Sequence, residues 1–445
     1  MSTAAEILAR ERELLSPAAR IPFIPLVLEG GDGAELRERD GGRLLDFHSM
    51  ACTTSTGHCH PRVVAAIRDQ AQRLIAVNAG YALHQGLTDL AAELARITPG
   101  RGPKKVAFGL SGADANDGAL KLARAATGRA KAISFFGSYH GNTYGALSLS
   151  GVSLAMRRGF GPVVPDVHHV TFPDTYRSGG APHAAVARAC LEELQRLFTT
   201  VAPPEEVAAV FVEPIQGDSG ILVPPAGYLD DLAALCREHG ILLVAEEVQS
   251  GVGRTGRWFA AEHFALEPDI TVVGKGLGSG MPVSAVVARA DLMEAWGPPA
   301  HVFSTAANPV CAAAALATIA VIEDADLLAN ARERGRQLED GLAELASRHE
   351  PIGDVRGRGL MLGVDLVTDR DSREPARELA AKVVAACYRR GLYLTFLRGC
   401  VLRLAPPLTV TAAQVEQALE VLDAALTDAE RGRVPAADVA SLTGW

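Results

Sequence analysis

Three short runs in this chain are apolar at nearly every position and each ends on a charged group: Val207 to Val212 before Glu213, Ile241 to Ala245 before Glu246, and Ile270 to Val273 before Gly274-Lys275. Such runs are too short for typical helices and lack the alternation of a half-buried strand, so they are predicted to be strands covered on both faces. A helical segment over Tyr228 to His239 separates two of them, and Lys105 to Leu110 and Ala132 to Phe136 supply two more strands upstream. Strands alternating with helices predict an α/β fold, a mainly parallel sheet with helices on both faces. Sheets of this kind bind ligands at the carboxyl ends of their strands, where Asp218, Glu246 and Lys275 all fall.

The character changes after the run His301 to Pro309. Alanine-rich helices from Val310 to Arg348 lead to the glycine- and arginine-rich run Gly353 to Val364, a further helix, short strands near Tyr393 to Phe396 and Val401 to Leu404, and an amphipathic helix over Thr411 to Thr427. The expected organisation is a large domain over 61–320, a smaller α+β domain over 321–445, and an N-terminal segment, 1–60, packing with the smaller domain.

Lys275 lies at the end of a buried strand in a glycine-rich loop, where ammonium groups are seldom placed without a reason. Partial desolvation there makes it a usable nucleophile and base, although a surface-loop lysine would fit the same local pattern. Upstream, Ser111-Gly112-Ala113-Asp114 follows a strand and opens a helix. Ser111 can cap that helix with Asp114 completing a capping box, and the exposed N–H groups at the positive end of the helix dipole suit a phosphate. Tyr139, at another strand's carboxyl end and near Gly137 and Gly141, can lie flat on a planar ligand or fill core.

The totals narrow the function. A formal charge of -9 gives no general attraction to nucleic acid or anionic membrane, so neither is an expected partner, and any phosphate site must be local. No apolar run reaches membrane-spanning length, and Met1 to Arg20 lack the apolar centre of a signal peptide. Seven scattered cysteines do not resemble a disulfide framework, which together with the missing signal predicts a cytoplasmic protein. Gly57-His58-Cys59-His60-Pro61 puts three ligand types side by side, but adjacent residues seldom point at one ion and no second cluster follows, so no metal is expected.

A phosphate cradle, a flat aromatic, a strand-end acid and a lysine together describe a pyridoxal phosphate site. The ordered motifs Gly57 to Pro61, Ser111 to Asn116, Tyr139-His140-Gly141, Glu213 to Gly217, Glu246 to Gly256, Gly274-Lys275 and Arg403 to Leu408 resemble the class III aminotransferase family of fold type I over nearly the whole chain. The resemblance implies that Lys275 carries the cofactor and that Glu246 stands where the family has an aspartate on the ring nitrogen. It further implies that Gln249 lies near the ring hydroxyl, Tyr139 on the ring, and Ser111, Gly112 and Ala113 on the phosphate. Ser304, with Thr305 second, matches a threonine that reaches the phosphate of a neighbouring subunit, which implies a homodimer or homotetramer with sites at the subunit interface. Arg403 matches the arginine that holds an amino acid's α-carboxylate.

Asp114, Asp117 and Asp218 stand where aminotransferases of this class typically carry other residues, including glutamates. Together with Ala307-Asn308-Pro309-Val310 and the chain end Gly444-Trp445, they resemble the amino-acid racemase branch, that of isoleucine 2-epimerase and aminocaprolactam racemase. In that branch an aspartate at the Asp218 position is the second acid/base. The expectation is a racemase or 2-epimerase of free, neutral α-amino acids with Lys275 and Asp218 as its two proton carriers. An aminotransferase is the alternative, and a non-enzymatic cofactor-binding protein is disfavoured because no DNA-binding module is appended.

Overall fold

The computed structural model describes residues 2–444, so Trp445 lies outside them. The chain forms two compact units. The larger comprises Thr53–Ser55 and Pro61–Leu328; the smaller takes the segment through Cys52, Thr56–His60, and the chain from Ala329 onward.

The larger unit is built on a seven-stranded sheet. Its strands are β1 (Lys104–Gly109), β2 (Lys131–Phe135), β3 (Val167–Val170), β4 (Val207–Val212), β5 (Leu242–Glu246), β6 (Ile270–Val273) and β7 (Ser284–Arg289). Their spatial order is β1-β7-β6-β5-β4-β2-β3. Neighbours from β6 to β3 are parallel, whereas β7 runs antiparallel to both β1 and β6.

Alternation along β4 shows why an uninterrupted apolar run is needed. Val210 and Val212 enter one core cluster, with Leu194 of the helix His183–Phe198 and Leu232 of the helix Tyr228–Glu238. Ala209 and Phe211 enter the opposite cluster, with Ala119 and Leu122 of the helix Gly112–Thr127. Each face of the sheet is covered, so a polar residue at any of these positions would lose its water without gaining a partner. Along β4, β5 and β6 the first charged group comes at the carboxyl end of the strand or just past it, as Glu213, Glu246 and Lys275 do, and that edge gathers the site.

The smaller unit contains two four-stranded sheets. In one, Ile352–Arg358, Met361–Leu366, Val401–Leu404 and Thr395–Leu397 pair antiparallel. In the other, the N-terminal strands Leu28–Asp32, Glu35–Glu38 and Arg43–Asp46 are joined by Leu392–Tyr393, which pairs parallel to the third: Leu392 opposite Leu45 and Tyr393 opposite Asp46. The segment after Asp46 reads as a small polar loop, yet Ser49, Met50, Ala51 and Cys52 all have φ between 48° and 67°. Four consecutive non-glycine residues in the left-handed region cost roughly 1–2 kcal/mol each, so the turn must be imposed from outside. The Asp46 carboxylate accepts N–H bonds from His48 (2.9 Å) and Ser49 (2.8 Å), and the Ser49 hydroxyl donates to the Ala405 carbonyl (2.5 Å). Asp46 also meets His58 Nε2 at 2.7 Å.

Candidate active site

Five strand ends of the larger unit converge on one cavity of about 330 Å³. From β1 come Ser111, Gly112 and Ala113; from β2, Tyr139; from β4, Glu213 and Asp218; from β5, Glu246 and Gln249; from β6, Lys275. Thr53, Met281 and Val283 also line it.

The helix start forms as its sequence predicts. Ser111 Oγ accepts the Asp114 N–H (3.3 Å), while Asp114 accepts the N–H groups of Ser111 (3.1 Å) and Leu110 (2.7 Å) and the Ser284 hydroxyl (3.0 Å). Asp114 is thereby committed to holding the turn. Gly112 leaves no room for a side chain: a Cβ there would lie 2.7 Å from Val248 Cγ1. The bare backbone at this helix start is the kind of cradle that admits a phosphate.

Lys275 is half-buried and begins a short 3-10 turn with φ 42°, a left-handed conformation that costs a lysine about 1–3 kcal/mol. Strain of that kind persists where the surroundings over-determine it, and here Val273 is locked into β6 on one side and Leu277 donates to the Gly274 carbonyl on the other.

Three of the groups lining the cavity are buried and titratable. His140, Glu213 and Glu246 each bring a ligating atom within 4.8 Å of the others. Burial dominates all three. It pushes Glu213 up to about 8, aided by the Glu246 charge and opposed by His140 and two N–H bonds, and pushes Glu246 up to about 7, opposed by the Lys275 ammonium. It holds the His140 imidazole down to about 4, hence neutral. Each carboxylate therefore lacks a full counter-charge, a vacancy of charge that a cationic ring nitrogen beside Glu246 would answer. The Glu246 carboxylate already accepts the Val248 N–H at 2.9 Å.

Gln249 is buried with its Oε1 lacking a hydrogen-bond partner among the described residues. An orphaned acceptor, a cradle with no space for a Cβ, two under-compensated carboxylates and an amine in one cavity fit pyridoxal phosphate: Lys275 would hold it, Glu246 face its nitrogen, Gln249 its hydroxyl, Tyr139 its ring, and Ser111 to Ala113 its phosphate.

Two expected groups are not among the residues that line this cavity. Ser304 and Thr305 are exposed and do not line this cavity. Arg403 belongs to the smaller unit, on the strand Val401–Leu404, where its buried guanidinium meets His48 Nε2 and donates to Thr395 Oγ1 (3.3 Å). Conversely, sequence reasoning did not assign Glu213 or His140 to the site. Their signal was position alone, Glu213 closing an apolar run and His140 following Tyr139.

The class III aminotransferase family model (Aminotransferase class-III) matches residues 17–426. Isoleucine 2-epimerase of Lentilactobacillus buchneri is 42% identical over 100% of this chain and 99% of its own length. The leucine/methionine racemase of Thermococcus litoralis is 43% identical over 99% of each. Among solved structures, a thermostable (S)-enantioselective omega-transaminase from Thermomicrobium roseum superposes with a TM-score of 0.90 at 33% identity, covering 96% of this chain and 99% of that one.

Proposed function

Since this chain belongs to the class III aminotransferase family and is a pyridoxal phosphate enzyme, we propose that it racemises or 2-epimerises free, neutral α-amino acids by moving the Cα proton between Lys275 and Asp218. The observation that carries this is the presence of both an amine and a short buried carboxyl, on separate strand ends, in one cavity. The cofactor, when bound, supplies an electron sink that acidifies the Cα–H bond. Inversion then needs one group to take the proton from one face and another to return a proton to the other. Lys275 Nζ serves one face and the Asp218 carboxyl the other, and their roles exchange for the opposite enantiomer.

The remaining residues hold and exclude. Glu246 sets a negative charge at the ring nitrogen, Tyr139 covers the ring, and the N–H groups from Ser111 to Ala113 bind phosphate. Thr53, Met281 and Val283 give the cavity wall an uncharged surface, and Lys275 is the only lysine or arginine lining it among the described residues, which supports a neutral substrate side chain. For Arg403 the proposed role is the α-carboxylate, to which its planar fork is matched. The exposure of Ser304 and Thr305 supports a homodimer or tetramer in which one of them reaches a neighbouring copy's phosphate. No helix among the described residues is long and apolar enough to cross a membrane; a cytoplasmic location is part of the proposal.

Aminotransfer is the second reading, favoured by the likeness to a transaminase structure. Incubating the loaded enzyme with single L-amino acids in heavy water, without keto acid, separates the two. D product carrying deuterium at Cα establishes inversion; keto acid with stoichiometric aminated cofactor and no D product establishes aminotransfer.

A further inference from the structure

Glu213 occupies a costly place. It is 4% exposed at the end of β4, where a carboxyl group is retained against a large desolvation penalty. Its two oxygens serve different segments. Oε1 accepts the N–H of Tyr139 (3.0 Å), and Oε2 accepts the N–H of Gly217 (2.9 Å), the residue before Asp218.

A second tie runs beside it, since Gln216 Nε2 donates to the Phe136 carbonyl (3.1 Å). The two segments also meet without a side chain between them: a Cβ on Gly137 would fall 2.1 Å from Ser219 Oγ. The loop that carries Asp218 is itself closed by reciprocal Gln216–Leu222 backbone bonds (3.0 and 2.9 Å) and contains Ile221 at φ 55°, an uncommon state for a β-branched residue. A closed, strained loop moves as a piece, so its docking contacts decide where Asp218 stands.

The geometry points to Glu213 as a positioning residue: by accepting one N–H from each segment, it fixes the Asp218 loop in register with the Tyr139 turn. This rests on the two-base reading above and adds what holds the second base in place. A carboxyl oxygen keeps an acceptor lone pair whether or not the group is protonated, so either state can make both contacts. An amide cannot, because its NH₂ would face one of the two N–H donors, and the Asp218 loop then loses its register with the Tyr139 turn whichever bond is broken.

Glu213→Gln, loaded with cofactor, tests this. The visible absorbance band of the bound cofactor is expected to match wild type, with KM within a few-fold. Cα–H exchange in heavy water is then followed separately from the L and the D enantiomer. Misplacing Asp218 by about 1 Å is expected to slow, on the order of 10²-fold, both inversion and the exchange of the enantiomer whose proton faces Asp218. Exchange of the enantiomer facing Lys275 persists. Equal loss from both enantiomers, or no loss, overturns the proposal, since a general structural role would not distinguish the faces. Should Glu213→Gln fail to fold, Gln216→Met decides: it removes the parallel tie and must show the same asymmetry in smaller measure. A wild-type enzyme that yields no inversion instead refutes the racemase reading itself, an outcome visible before any variant is made.

Discussion

Gly112→Ala is expected to loosen the cofactor without unfolding the protein. The added methyl would lie 2.7 and 2.9 Å from the two Cγ atoms of Val248, against about 3.5–4.0 Å for an ordinary carbon contact. Val248 cannot easily yield, because β-branched side chains are stiff at χ1 and its N–H is bonded to Glu246 Oε1. Relief must come from displacing either the helix start or the Glu246-to-Gln249 segment, both of which face the cofactor in the proposed arrangement. Overpacking of this kind costs about 1–3 kcal/mol. Alanine returns roughly 0.4–1 kcal/mol through the unfolded chain, so the net loss of global stability stays below about 2.6 kcal/mol, short of unfolding the protein, while the binding geometry carries the strain. At about 1.4 kcal/mol per tenfold, pyridoxal phosphate affinity should fall about 5- to 140-fold. Titrating the cofactor-free variant and following the visible band measures this, with Gly297→Ala as control because a Cβ there meets nothing within 4 Å. Affinity within twofold of wild type would refute the reasoning.

Asp218→Asn should retain the cofactor band and lose inversion by about 10²–10⁴-fold, the usual weight of a general acid/base; undiminished formation of D product would remove Asp218 from the mechanism. Burial raises Glu213 to about 8 and Glu246 and Glu247 to about 7, so the folded protein keeps protons that the unfolded chain releases near 4.5. Each such group stabilises most at low pH, and its contribution is lost as pH rises toward its folded value. His140 and His169, held down to about 4, act in the opposite sense but only below their ordinary 6.5. Urea unfolding of cofactor-free protein should therefore show stability falling between about pH 6.5 and 8, at up to about 1.4 kcal/mol per pH unit per proton. Bound cofactor should flatten the Glu246 share, and a cofactor-free curve that rises across this window contradicts the assignment. Glu247→Ala should destabilise by about 3 kcal/mol or more in the same assay, because the Ser250 hydroxyl and the N–H groups of Ala260 (3.0 Å) and Ala261 (2.7 Å) lose a buried acceptor; a change below about 1 kcal/mol would show that water or neighbours replace it.

Local order in the sequence reveals where strands end, and this sheet makes strand ends chemical. The lysine, Glu246 and Asp218 are legible for that reason, as is the Ser111 cap, whose partners lie within four residues. Strand direction is not encoded locally: the apolar run in Ser284–Arg289 would suit a parallel strand equally, yet β7 is antiparallel. Glu213 is opaque because its partner Tyr139 is 74 residues away. The left-handed turn at Ser49–Cys52 carries no glycine or asparagine to announce it, since the bond from Ser49 to Ala405 spans 356 residues.

The parallel pairing of Leu392–Tyr393 with Leu45–Asp46 also orders events during synthesis. Every strand of the larger unit has been made by Arg289, and its last helix ends at Asp324, so that unit can condense while the ribosome is still at work. The N-terminal hairpin gains its fourth strand only after residue 393 has emerged, and until then it presents an unpaired edge to the cell. Premature termination between Asp324 and Leu392 would thus release every strand of the larger sheet together with an open β-edge, a species suited to capture by chaperones or to self-association.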